Sequence, residues 1–228
     1  MWSDLSTLKL HTKLIEPTAI AIHEAGVWLY KKTPMLDDGN HLVSWRPNDE
    51  DMDEVYPDGW PETFLRHSWY HDFDQYPDGV ADIVCSWAES RVFGGVVLFD
   101  RRERDSCPEA DPDAVYFHAS RREVTYRVFK LLNEQKQQLL HFLLSPVTPP
   151  PSCPLPILGD INNRTRADPE EPIQSTGIYR NLWERKPMGE DDYDDRLRDV
   201  VDTFNYLSQD DWAAAKRRAL LRSANIDS

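Results

Sequence analysis

Apolar positions along the chain fall into short blocks rather than one long helical period. Residues 19–24 and 27–32 are apolar runs on either side of Ala25-Gly26, a pattern that predicts a tight hairpin with glycine supplying a positive φ. A single short buried helix satisfies the same pattern, because runs of this length do not separate strand from helix by periodicity. Val80, Ile83, Val84 and Trp87 fall at i, i+3, i+4 and i+7, the spacing that lines one helical face, and predict a helix over 80–89. Gly94-Gly95 interrupts that pattern, and Val96-Val97-Leu98-Phe99 is a β-branched and aromatic run of the kind that forms a buried strand.

Residues 114–118 read as the next strand and 124–131 as its hairpin partner, with Val124, Tyr126 and Val128 on one side. Ser120-Arg121-Arg122-Glu123 also has the form of a capping box that starts a helix reaching Leu144. The strand reading leaves Asn133 to cap a helix over 134–145, which buries Leu139, Leu140, Phe142 and Leu143 and is stopped by Pro146.

Polar stretches punctuate these blocks. Residues 36–59 are rich in Asp, Asn, Pro and Gly and read as a solvated loop; Tyr56-Pro57-Asp58-Gly59 and Tyr76-Pro77-Asp78-Gly79 repeat one turn-forming tetrapeptide. Pro146, Pro149, Pro150, Pro151, Pro154 and Pro156 favour a stiff extended linker. Beyond an irregular stretch, Leu197, Val200, Val201, Phe204 and Leu207 mark a helix preceded by the acidic residues Glu190, Asp191, Asp192, Asp194 and Asp195, and a second helix runs from Asp210 toward Leu221. The fold class expected is α+β, an antiparallel sheet with packed helices. The expected organisation is a core domain over 1–145, a linker over 146–156, and a segment over 157–228 whose helices dock on the core or on a partner.

Composition narrows the partners. With 8 Trp, 8 Phe and 9 Tyr, most of the chain has the means to fold. Its formal net charge of −14 repels phosphate backbones and anionic membranes, so neither nucleic acid nor a membrane surface is an expected partner. The nearest basic clusters, Arg121/Arg122/Arg127 and Arg217/Arg218/Arg222, read as solvated surface. No run approaches the roughly 20 apolar residues of a membrane span, and Met1-Trp2-Ser3-Asp4 opens without the basic and apolar regions of a secretory signal. Cys85, Cys107 and Cys153 are odd in number and widely spaced, which suits neither a disulfide framework nor a zinc site. A cytoplasmic location is expected, and nothing in the sequence rules against a nuclear one. Asn163-Arg164-Thr165 matches a glycosylation acceptor by chance on this view.

Candidate chemistry concentrates in His67-Ser68-Trp69-Tyr70-His71-Asp72-Phe73-Asp74. On a helix, His67 and His71 share a face at i and i+4, which suits one divalent metal with Asp72 or Asp74 in support. The same residues allow His71 to act as an acid/base oriented by Asp72 or Asp74. Packed or surface histidines in an aromatic-rich segment are the plainer reading. Trp60, Phe64, Trp69 and Tyr70 are dense enough to line a small-molecule site or protein-binding groove, or to pin the segment to the sheet. Phosphate-binding glycine loops are absent.

The run from Trp69 to Asp82, followed by Trp87-Ala88-Glu89, Phe93-Gly94-Gly95-Val96-Val97-Leu98-Phe99-Asp100 and Val115-Tyr116-Phe117-His118, resembles an uncharacterised family of filamentous-fungal intracellular proteins over residues 60–145. The resemblance implies an association with specialised metabolism and carries over no functional residue. Two functions emerge as expectations: a non-catalytic binding or scaffolding protein that takes a protein partner or a small apolar ligand, and, as the alternative, a small acid/base or metal-dependent enzyme acting on an apolar metabolite through His67, His71, Asp72 and Asp74.

Overall fold

The computed structural model describes residues 13–32, 62–105, 107–121, 124–125, 127–146, 152–169 and 171–185, with 208–211, 213–214 and 217. Among them lie helices α1 (Ile15–Lys32), α2 (Val80–Val92), α3 (Asn133–Leu144) and α4 (Ile173–Thr176), and strands β1 (Val96–Asp100), β2 (Val115–His118), β3 (Val128–Lys130), β4 (Arg166–Ala167) and β5 (Ile178–Tyr179). The strands form one sheet of order β4-β3-β2-β1-β5, antiparallel at every step. The fold is α+β, as the residue pattern predicts.

Register assigns each side chain to a face. Val97 and Phe99 of β1 stand beside Phe117 and Val115 of β2, with Phe129 of β3 opposite Phe117. This face packs against Ile15 and Ala19 of α1, Leu139 and Leu140 of α3, and Ile157. Val96 and Leu98, Tyr116, Val128 and Ile178 form the other face, covered by Tyr70 and the half-buried Trp69. Because both faces are covered, β1 and β2 are buried at every position, and their sequences show no polar/apolar alternation.

The hairpin expected around Ala25-Gly26 is instead the interior of α1. Ile15, Ala19, His23 and Val27 are buried at intervals of four, so one narrow helical stripe carries the packing. Ala19, Ala21 and Ala25 favour helix intrinsically. Gly26 serves contact rather than a turn: a Cβ there would lie 2.9 Å from Cys85 Sγ on α2. Glycine costs about 1 kcal/mol in a helix interior, and here that cost permits α1 and α2 to close on each other through Val27, Ala81 and Cys85.

The helix predicted over 80–89 extends to Val92 and begins at Gly79, whose φ of 58° closes the Tyr76-Pro77-Asp78-Gly79 turn. The helix predicted over 134–145 is α3. Its cap differs from the expectation: Asn133 is already helical, and Gln135 Oε1 accepts the amide of Leu132 at 2.9 Å. The expected partner strand of β2 shortens to β3.

Residues beyond the prolines complete the sheet. Ile157 donates its amide to the Phe93 carbonyl at 2.7 Å, and Gly94, at φ 108°, has no room for a Cβ because the Ile157 carbonyl would lie 2.1 Å away. β4 and β5 then add the two edge strands. Asn163 is buried; its Nδ2 donates to the Lys130 carbonyl (2.8 Å) and Gln135 Oε1 (2.9 Å), while its Oδ1 accepts the amide of Asp160 (3.0 Å). The loop over 36–59, the turn at 56–59 and the helix over 197–207 lie outside the described residues. Ser208 accepts the Asp211 amide at 3.0 Å, where the residue pattern starts the second C-terminal helix.

Candidate functional site

The segment that carries the candidate chemistry is an extended turn followed by a 3-10 turn. Tyr70 donates its amide to the His67 carbonyl in an isolated antiparallel bridge, and Phe73–Gln75 is a single 3-10 turn. No α-helix forms here, so the shared i, i+4 face expected for His67 and His71 is not made, and the two rings part company. His71 is exposed, and with Phe64, Arg66 and Ser68 it lines a half-open cleft of about 430 Å³. That volume falls within the size of small-ligand sites. Phe64 supplies an apolar wall, and Arg66, Ser68 and His71 supply polar groups.

His67 points the other way and is fully buried. Its Nε2 donates to the carbonyl of His118 at 2.9 Å, and its Nδ1 accepts the amide of Trp69 at 3.2 Å, so both ring nitrogens serve the backbone. Burial pushes the imidazole down to about 4 and keeps it neutral. Its ring stands edge-on to Tyr70 and His118 with centroids 4.8 Å apart in each case. The Tyr70 hydroxyl and His118 Nδ1 share a hydrogen bond at 3.2 Å, and burial raises that phenol well above its ordinary range.

A second cluster joins α1, α2, β1 and the loop after β5. Glu89 Oε1 accepts the Val97 amide (2.8 Å) and Arg180 Nη1 (2.7 Å), and Glu89 Oε2 lies 3.4 Å from His23 Nδ1. His23 Nε2 lies 3.0 Å from Asp82 Oδ1, and Asp82 Oδ2 accepts the Asp78 amide at 2.8 Å. All four side chains are buried. Burial opposes charge on His23, yet its bonds to Asp82 and Glu89 prevail and raise its pKa. Burial likewise opposes ionisation of Glu89, but the charge of Arg180 and the bonds from His23, Arg180 and Val97 hold the carboxyl below its usual range. Arg180 and His23 thus face the Asp82 and Glu89 carboxyl groups, the kind of pairing that buried carboxylates require. Closed to solvent, this quartet holds elements together rather than meeting a substrate.

Of the residues singled out from sequence, His71 and Phe64 share the cleft. Asp72 and Asp74 lie beside it along the chain, Asp72 donating its amide to the Tyr76 hydroxyl at 3.3 Å. Trp69, Tyr70 and His67 face the sheet, and Trp60 lies outside the described residues. Among the described residues no three His, Cys, Asp or Glu side chains are grouped to hold a metal ion. Arg66 and the His23 quartet escaped sequence reasoning. The one signal for the quartet is His23 itself, which continues the apolar Ile15, Ala19, Val27 spacing of four once that segment is read as helix.

No family model matches the chain, and no curated protein or solved structure matches it either. No described helix is long and apolar enough to cross a membrane.

Proposed function

We propose that the protein is a non-catalytic intracellular binding protein whose ligand site is the cleft of Phe64, Arg66, Ser68 and His71. The observation that carries this reading is the division of labour around residue 67: imidazole and phenol groups suited to chemistry turn inward and bond to the fold, while the cleft offers one aromatic wall and a polar rim. Such a rim suits a small molecule with one apolar face, set against Phe64, and an anionic or hydrogen-bond-accepting group, for which Arg66 supplies charge and Ser68 and His71 supply direction. Cytoplasmic residence, with the fungal and specialised-metabolite setting implied by the resemblance, belongs to the same proposal.

Titration calorimetry against a panel of small aromatic and aliphatic carboxylates tests it. Saturable binding that weakens about tenfold in Arg66→Ala and in His71→Ala is expected, since a hydrogen bond to a charged group contributes about 1.5–3 kcal/mol. Binding indifferent to both substitutions, or none across the panel, overturns the site. A second reading, an acid/base enzyme, draws on the presence of His71 in the same cleft; turnover of a bound ligand that vanishes in His71→Asn while binding persists would establish it instead.

A further inference from the structure

His23 Nδ1 stands at the edge of a buried ion pair, at the same distance from both of its members. Arg180 Nη1 donates to Glu89 Oε1 at 2.7 Å, and the second atom of each group, Arg180 Nη2 and Glu89 Oε2, lies 3.4 Å from Nδ1. The other ring nitrogen, Nε2, lies 3.0 Å from Asp82 Oδ1. An imidazole nitrogen carries either a proton or a lone pair, so Nδ1 serves only one of its two neighbours at a time. With the ring protonated, both nitrogens donate, Nε2 to Asp82 and Nδ1 to Glu89. With the ring neutral and its proton on Nε2, the bond to Asp82 persists and Nδ1 accepts from Arg180. Each protonation state has its own set of partners, and one proton decides which member of the ion pair holds the ring.

The two states do not grip equally. A protonated ring sets two cations against two carboxyl groups, whereas a neutral ring leaves Arg180 alone with both and turns a lone pair toward Glu89 Oε2. Burial magnifies that difference, because charges interact more strongly away from water. His23 lies in the middle of the buried stripe of α1, between Ala19 and Val27. Two further ion pairs of α1, Glu16 with Arg101 and Lys31 with Asp78, sit in its first and last turns and are partly exposed, where such pairs contribute little.

The charged and titratable groups facing the ring are Asp82 and Glu89 from α2 and Arg180 from the residue after β5. Behind them, β1 gives the Val97 amide to Glu89, the turn before α2 gives the Asp78 amide to Asp82, and Glu184 accepts the Arg180 amide at 2.9 Å. Cys85 of α2 lies against Gly26, and burial pushes its thiol up to about 12, so it stays protonated while the ring titrates. Burial also raises the Glu184 carboxyl above its usual range, which makes Glu184 the group to separate from His23 by experiment.

We propose that this cluster is a proton-operated latch on α1: proton uptake by His23 moves Nδ1 from Arg180 to Glu89 and tightens α1 against α2, and proton loss loosens the helix.

Histidine 15N NMR of the full chain, combined with backbone hydrogen exchange, tests this. Ring nitrogens report both charge and tautomer, so His23 is followed directly in the native chain. It should titrate above its ordinary value of about 6.5, and its neutral form should carry the proton on Nε2. As the ring deprotonates, peptides from α1, corrected for the intrinsic pH dependence of exchange, should lose protection several-fold, and those from α3 should not. A neutral ring protonated on Nδ1 overturns the proposal, because it donates to Glu89 in both states. Titration without a change in α1, or with an equal loss in α3, overturns it as well. In His23→Gln the loss of α1 protection should vanish; a loss that persists there assigns the effect to another group, Glu184 first, and also overturns the latch. Should that variant not fold, the native-chain measurements decide alone.

Discussion

His67 enters the folded chain neutral, held by the His118 carbonyl and the Trp69 amide with its pKa pushed down to about 4 by burial. In the unfolded chain the same ring takes a proton near its ordinary value of about 6.5. Between those values the unfolded state binds more protons, so this contribution to stability is full above pH 6.5 and is lost as pH falls toward 4. The total is about 3 kcal/mol by linkage. His67→Gln keeps a donor for the His118 carbonyl and removes the titration. In urea unfolding, its loss of stability between pH 7 and pH 4.5 should be smaller than the native chain's by about 2 kcal/mol; an unchanged slope would assign the acid sensitivity elsewhere. His23 works with the opposite sign, its raised pKa giving stability that is present below the unfolded value and lost as pH rises through the folded one. At this scale the sequence announces an aromatic and histidine-rich segment, and Phe64 and His71 do meet in one cleft. It does not announce which histidine faces inward, because that depends on a carbonyl 51 positions away. Asn163 makes the same point: its acceptor triplet is legible, while its burial between Lys130, Gln135 and Asp160 is what withdraws its amide from solvent.

Elements with their own periodicity, α2, α3, β1 and β2, are legible from residue pattern alone, whereas α1 is mistaken for a hairpin. Its Gly26 reads as a turn only until Cys85 is placed against it. Gly26→Val should therefore act as a wedge between α1 and α2, destabilising the fold by about 1–3 kcal/mol as overpacking does. The natural thiols report the effect: Cys85 is buried, Cys107 half-buried and Cys153 exposed. Maleimide labelling followed by peptide mapping should show Cys85 reacting several-fold faster relative to Cys153 in the variant. Equal Cys85 rates, with an unchanged melting temperature, would mean that the helices adjust without separating.

At the scale of the molecule, the proline run does not divide the central strands from the residues C-terminal to it. β4 and β5 are two residues each, too short for any periodic signal, and they become strands only by pairing with Phe129 and Val128 on one side and with Phe99 and Asp100 on the other. Arg180 arrives with them and supplies the cation that Glu89 needs. A chain ending at residue 145 keeps β1, β2 and β3 but loses both edges and leaves a buried carboxylate without that partner. Removing one side of a buried ion pair costs about 3–5 kcal/mol, so such a fragment should show no cooperative thermal transition, checked by near-ultraviolet circular dichroism and calorimetry. A sharp transition would make residues 1–145 a self-sufficient domain after all. The late position of β4 and β5 also sets a clock during protein synthesis. At about 5–20 residues per second, roughly 2–10 s separate the emergence of β3 from that of β5, and throughout that interval the nascent chain displays an apolar sheet with two open edges. Neighbouring ribosomes on one message would bring such edges close together, which makes the stretch of translation from residue 130 to residue 180 the period when this protein has most need of a chaperone.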